Sequence, residues 1–283
     1  MKKLIGIFLF LIALQTKGHS ESTGAFKPDD KIIKTIRQVL SVPVPWQISI
    51  SSIEPSILSN IDKGVIHFQL GENVREQFIF ISSDGNHFLL GNIFDANIDY
   101  DALRVSRINF GNAVSKGEKN APVTIVEYSD PQCPACKQVE QRIPIDKILS
   151  DYKGKVRWIT KHIPIALSHT WAMQASVSCL CAAEQKPDAF WAMQTFFFDQ
   201  QTQITTENLK EKTLQAVKDL NLNLKKFESC SASSKMTDII KANIQESEKI
   251  NIQLTPSFVI NGRIINGGTN EQEIKTLIDY FLK

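Results

Sequence analysis

The sequence predicts an α/β protein in two parts. A small α+β unit comes first, and a larger unit follows in which a β-α-β stretch and a β-β-α stretch are separated by a long run of helices. Three observations carry this. Strand-like runs with period-two alternation crowd residues 46–94. A buried-type strand at 123–128 leads into a helix and then into a second strand at 156–162. A mostly helical pattern fills about 165–250, and two short strands flank Asn261-Gly262 before a closing helix. At 283 residues the chain has room for two domains of ordinary size. The expected division is a targeting segment at 1–20, an α+β domain at 21–110 and the larger domain at 111–283.

Lys2 and Lys3 precede an almost wholly apolar run at 4–14, and the chain turns polar at 15–20. That run suits a secretory signal and falls short of the about 20 residues needed to span a bilayer. Cleavage after Ser20 is expected, with an uncleaved N-terminal anchor as the alternative. Either places the body of the protein outside the cytoplasm, in the periplasm or an equivalent compartment. Removing Lys2, Lys3 and Lys17, and no acids, takes the formal charge from +2 to −1. A near-neutral body carries no electrostatic footprint for nucleic acid or an anionic membrane. With 42% hydrophobic and 22% charged residues the chain can bury a core without staples, so each cysteine pair calls for another reason to be present.

In the first part, Pro28, Asp29 and Asp30 open a helix with Ile32, Ile33, Ile36, Val39 and Leu40 on one face, closed by Pro43 and Pro45. Trp46, Ile48 and Ile50 alternate with polar residues as a strand. Residues 65–70 and 76–81 read as further strands, and 87–94 returns as a fourth after the turn at Asp84-Gly85. With no cysteine and no cluster of catalytic residue types, this part is expected to serve contact. In the second part, the polar stretch 115–120 reads as a linker or surface loop, and Ser129-Asp130-Pro131 as a turn. The closing helix, 271–282, sets Ile274, Leu277, Ile278 and Phe281 on one face.

Cys133-Pro134-Ala135-Cys136 falls where a strand hands over to a helix. Cysteines three apart in a first helical turn come within disulfide reach, about 4.4–6.8 Å between Cα atoms. The first sulfur then lies at the positive end of the helix dipole, where unpaired N–H groups stabilise a thiolate. Pro134 lacks an N–H, which matters least in a first turn. Such a pair exchanges disulfides: the Cys133 thiolate forms a mixed disulfide and Cys136 resolves it. Two other readings are a static disulfide and half of a zinc site completed by Cys179 and Cys181. Nothing in the motifs calls for a cofactor. His67, His87, His162 and His169 show no metal spacing, and Phe196-Phe197-Phe198 reads as helix core. Cys179 and Cys181, two residues apart on a helix, point about 200° apart and cannot both face one partner.

The decapeptide Glu-Tyr-Ser-Asp-Pro-Gln-Cys-Pro-Ala-Cys at 127–136 resembles the DsbA-like branch of the thioredoxin superfamily. So do Cys-Ala-Ala-Glu-Gln at 181–185 with Phe-Trp-Ala-Met at 190–193, Phe-Glu-Ser-Cys at 227–230, and Thr-Pro-Ser-Phe-Val-Ile-Asn-Gly at 255–262. The likeness covers roughly 121–283 and is specific in combination. It implies a thioredoxin fold with a helical insertion at about 165–250, a cis Thr255–Pro256 bond beside the active sulfurs, and main-chain pairing of Thr255 with an extended client. It implies that Glu127, six residues before Cys133, is a buried acid that exchanges the proton of Cys136; a surface strand glutamate is the plainer alternative. Lys161 is a candidate partner for it. By motif position Cys181 pairs with Cys230 in a structural disulfide, leaving Cys179 a free buried thiol, with a Cys179–Cys230 pair as the alternative.

One departure from the family stands out. DsbA carries histidine between its cysteines where this chain has Ala135, so a potential less oxidising than about −120 mV is expected. Residues 78–94 are similar to the dimerisation domain of DsbC- and DsbG-like isomerases, which implies a homodimer; a monomer whose first domain covers the client groove is the alternative. The expected function is an exported thiol–disulfide oxidoreductase that forms, reduces or isomerises disulfides in secreted clients, served by a redox partner in or at the membrane. A non-catalytic, chaperone-like binding module is the other reading.

Overall fold

The structure, a computed structural model, describes residues 30–111, 113–165 and 168–283. The targeting segment expected at 1–20, with its cleavage point, lies outside the described residues, as do Pro28 and Asp29. The chain divides into two units at Asp95/Ala96.

The first unit holds helix α1 (Asp30–Val39) and strands β1 (Gln47–Pro55), β2 (Ile61–Leu70), β3 (Asn73–Ser82) and β4 (Phe88–Leu90). They form an antiparallel meander in the order β1-β2-β3-β4. Ile32 and Ile36 on one face of α1 bury against Ile66, Ile79 and Ile81 of the sheet. The fourth strand is shorter than its sequence texture suggests. Its ladder with β3 ends at Leu90, because Gly91 at φ 155° leaves the strand region of ordinary residues.

The second unit holds α2 (Tyr100–Val105), β5 (Val114–Gly117), β6 (Val123–Ser129), α3 (Pro134–Arg142), α4 (Ile145–Asp151), β7 (Val156–His162), α5 (Ala172–Gln185), α6 (Ala189–Asp199), α7 (Leu209–Asp219), α8 (Leu224–Ala232), α9 (Lys235–Lys249), β8 (Ser257–Ile260), β9 (Arg263–Asn266) and α10 (Glu271–Phe281). Its sheet runs β5-β7-β6-β8-β9, with β6 and β7 parallel and the other pairs antiparallel. This is a thioredoxin-like fold with α5–α9 inserted between its β-α-β and β-β-α halves. Val123, Ile125, Trp158 and Phe258 bury one face of the sheet against Val139, Ile148, Ile274 and Ile278. Val126, Tyr128, Ile159 and Val259 form the other face's core with Ile250 and Ile252. The inserted helices have their own core around Phe190, Phe197, Val217 and Ile240. Among the described residues no helix is long and apolar enough to cross a membrane.

Two features differ from the sequence reading. Residues 115–117 are not linker but part of β5, an edge strand on β7. Gly117 at φ 83° sits so close to Val156 that a Cβ there would meet its carbonyl oxygen at 2.3 Å. The unit boundary also falls fifteen residues before the one drawn at 110/111. Helix α2 docks on the β8–β9 hairpin: Arg104 donates to the Gly262 carbonyl, and Arg263 pairs with Asp101 at 2.9 Å. No local pattern in 96–108 announces contacts made some 160 residues away.

Candidate active site

Strand β6 delivers the site. Alternation sends Glu127 and Ser129 to one face of the sheet and Tyr128 to the other. The chain then turns at Asp130, whose carbonyl accepts from the Cys133 N–H at 3.0 Å and whose Oδ1 accepts from the Gln132 N–H at 2.7 Å. Asp130 is fully buried, and its Oδ2 also accepts from the Ile165 N–H at 2.9 Å and His169 Nδ1 at 2.6 Å. Gln132 Oε1 accepts from the Trp171 N–H at 2.8 Å, and Gln201 Nε2 donates to the Pro131 carbonyl at 3.2 Å. The turn that presents Cys133 is thus held from several sides. Sequence reasoning saw only a turn here, and no spacing linked His169 to Asp130.

Cys133 is the N-cap of α3, with Pro134 in the first turn. It is 6% exposed and Cys136 is 0% exposed; both are thiols, in contact with Phe198. One member of the phenylalanine run therefore touches the sulfurs as well as the helical core. The Thr255–Pro256 bond is cis, and Cys133 Sγ lies 3.5 Å from the Thr255 carbonyl oxygen. Hydrogen bonding from the Cys136 thiol, and then from the Thr255 hydroxyl and the N–H groups of Cys136 and Ala135, draws the Cys133 thiol down to about 6 against the opposing effect of burial. Burial, and then the neighbouring Cys133 sulfur, push Cys136 well up. The two cysteines are therefore electrostatically unlike: one is a thiolate near neutral pH, the other holds its proton.

Glu127 is 4% exposed, so the surface alternative does not hold. Its Oε2 accepts from Trp158 Nε1 at 3.1 Å and Thr160 Oγ1 at 3.2 Å, and burial raises its pKa. Ser129 Oγ, also buried, favours the charged forms of both Glu127 and Cys136. The suggested Glu127–Lys161 pair is a correction. Glu127 sits opposite Thr160 in the parallel ladder, and Lys161 projects to the other face, where it meets Glu246 at 2.5 Å. Glu246 also accepts from the Tyr128 hydroxyl at 2.7 Å and the Asn109 N–H at 2.6 Å.

A second acid was not anticipated. Glu140, one turn after Cys136 on α3, accepts from Thr195 Oγ1 at 2.6 Å, and burial pushes it up to about 7. A glutamate four residues after a cysteine is legible as the same helix face, but its burial against α6 is not.

Cys181 and Cys230 form a disulfide joining α5 to α8, with Cα atoms 5.8 Å apart. Cys179 is a buried free thiol. With Cys181 committed to Cys230, the four-sulfur zinc set is not assembled.

A thioredoxin family model, Thioredoxin_4, matches residues 110–280. The chain belongs to the thioredoxin family. Its thioredoxin unit has the fold of DsbA-like proteins. Wolbachia pipientis alpha-DsbA1 superposes with a TM-score of 0.54 at 21% identity, over 63% of this chain and 94% of that one. Oxidised BdbD from Bacillus subtilis does so with a TM-score of 0.54 at 22% identity, over 62% and 95%. Disulfide bond formation protein D of Bacillus subtilis is 28% identical over 178 residues, 59% of this chain and 76% of that protein. Na(+)/H(+) antiporter NhaA 3 of Salinispora tropica is 30% identical over 163 residues. The chain spans about a quarter (24%) of that antiporter's length, and the rest of the antiporter lies outside the match. The family match starts at residue 110, so the likeness of the N-terminal unit to isomerase dimerisation domains gains no support from it.

Proposed function

We propose that this protein is an exported thiol–disulfide oxidoreductase acting on secreted clients through Cys133 and Cys136. The observation that carries the reading is the asymmetry of the pair. Cys133, at a helix N-terminus and beside the cis Thr255–Pro256 bond, is a thiolate near neutral pH, while Cys136 behind it is a buried thiol. Cys133 is the nucleophile and leaving group, Cys136 resolves the mixed disulfide, and Glu127 takes the proton that Cys136 sheds. Thr255 lends its main chain to an extended client. The signal-like residues 2–20 and the name of the Bacillus relative support export and a role in disulfide formation. The first unit serves contact, with a second copy or with the client, and a membrane redox partner restores the pair.

The test is direct. The purified protein should catalyse insulin reduction or refolding of a reduced, disulfide-containing client, and Cys133→Ser should abolish this. Full activity in that variant, or stoichiometric zinc on the pair, overturns the reading in favour of a non-catalytic binding module.

A further inference from the structure

The ladders of β6 end at Ser129, four residues short of the nucleophile. Beyond that point the Asp130 side chain takes over. Its Oδ2 accepts both the Ile165 N–H at 2.9 Å and His169 Nδ1 at 2.6 Å, while its carbonyl accepts the Cys133 N–H at 3.0 Å. One fully buried residue therefore ties the main chain of Cys133 to the segment between β7 and α5. The two donors to Oδ2 belong together. The His169 N–H donates to the Ile165 carbonyl at 3.0 Å, which brings groups four residues apart onto one oxygen. A carboxylate taken out of water is costly unless donors replace its hydration, and hydrogen bonds to it are among the strong ones. Ile165 and Gln132 donate through main-chain N–H groups, which substitution leaves in place. His169, with a side chain 15% exposed, is the one side-chain donor to this carboxylate among the described residues.

We propose that His169 is a positioning residue for Cys133, acting through Asp130 to fix where the reactive sulfur sits. This rests on the oxidoreductase reading and assigns one more residue to that site. His169 neither gives nor takes a proton in the exchange. Its effect is on alignment. The sulfur works where two separately held elements meet, the N-cap of α3 and the turn before β8, with Cys133 Sγ 3.5 Å from the Thr255 carbonyl oxygen. Strand β8 is held in place by its ladder with β6. The redox turn has no such ladder, so the Asp130 clasp sets its side of the meeting. Without the imidazole, Oδ2 keeps one of its two donors, and the space left admits water to a buried carboxylate. The turn then loosens, and with it the alignment of Sγ to Thr255 and to the N–H groups of Ala135 and Cys136 that favour its charge. Two further ties, Trp171 N–H to Gln132 Oε1 and Gln201 Nε2 to the Pro131 carbonyl, keep the turn folded when the clasp is opened.

The experiment uses the reduced, full-length protein and two readouts that a merely structural role leaves unmoved. One is the pH midpoint of Cys133 alkylation by iodoacetamide. The other is the rate of mixed-disulfide formation with a fluorescent peptide disulfide, measured above that midpoint, where the sulfur is already a thiolate. His169→Ala should move the midpoint upward by about one pH unit, a roughly tenfold loss of thiolate below it. It should also slow mixed-disulfide formation about tenfold, a modest share of what misplacing a reacting group costs. His169→Asn, whose amide donates from nearly the position of Nδ1, should restore both. Asp130→Asn should match His169→Ala, and the double variant should be no worse than either alone, because the two side chains act as a unit. A wild-type midpoint and rate in His169→Ala overturn the proposal whatever its Tm, as do additive losses in the double variant or no rescue by His169→Asn. Should His169→Ala not fold, wild-type values in Asp130→Asn overturn it instead. Each of these results leaves the oxidoreductase reading standing, whereas a wild-type protein that forms no mixed disulfide overturns that reading itself.

Discussion

Cys133 Sγ stands 3.5 Å from the carbonyl oxygen of Thr255, a residue 122 positions further along the chain. The contact joins the reactive end of α3 to the turn before β8. It places the nucleophile and a main-chain edge suited to an extended peptide at one spot. A client of the proposed kind, held by that edge, would bring its disulfide to the sulfur without any sequence being read.

The first prediction concerns the thiolate. Because Cys133 is drawn down to about 6, its rate of alkylation by iodoacetamide should rise as pH passes through 6 and level off above it. Cys136, pushed well up, should stay unreactive over that range. The Cys136 thiol is the largest cause of the lowering, so Cys136→Ala should move the midpoint upward most, and Thr255→Val should move it less.

The reduction potential follows from the same site. A nucleophile near 6 lies between thioredoxin, at about 7, and DsbA, at about 3.5. Thiolate stabilisation favours the dithiol form, so the pair should sit between about −270 and −120 mV. A glutathione titration followed by tryptophan fluorescence measures it, and a value at the DsbA end contradicts the effect assigned to Ala135.

Glu140 gives the stability profile a signature. Its pKa, raised to about 7 by burial and by the nearby carboxylates Glu127 and Asp199, means that the fold prefers the neutral acid. The stability tied to this group is complete below its ordinary value of 4.5 and is lost as pH rises through about 7. Glu140→Gln should therefore raise Tm at pH 8 and leave it little changed at pH 4, as differential scanning calorimetry would show.

The disulfide is expected to act on stability rather than on exchange. Cys181 and Cys230 close a loop of 49 residues. Replacing both by serine should destabilise the protein by about 2–4 kcal/mol in urea unfolding, chiefly by freeing the unfolded chain. Insulin reduction by the folded fraction should persist, because neither sulfur belongs to the site.

The sequence by itself determined whatever depends on neighbours along the chain. The β6–α3–β7 unit was legible because short continuous apolar runs and a turn leading into a helix start are local signals, and Cys133 and Cys136 are three residues apart. Asn261-Gly262 marked the last hairpin for the same reason. The Cys181–Cys230 pairing and the cis Thr255–Pro256 bond were readable only through the family resemblance, since neither follows from spacing. Tertiary structure decided the rest. Whether Thr160 or Lys161 stands beside Glu127 depends on strand register, and one residue of register exchanges the two faces of a sheet. That Asp130 is held by His169, that Glu140 is buried against Thr195, and that α2 seats on Gly262 are facts of packing between distant segments. Cys133 and Cys136 could be recognised as a pair from sequence; what makes one a thiolate and the other a thiol is their mutual contact, the burial and the hydroxyls that the folded chain gathers around them.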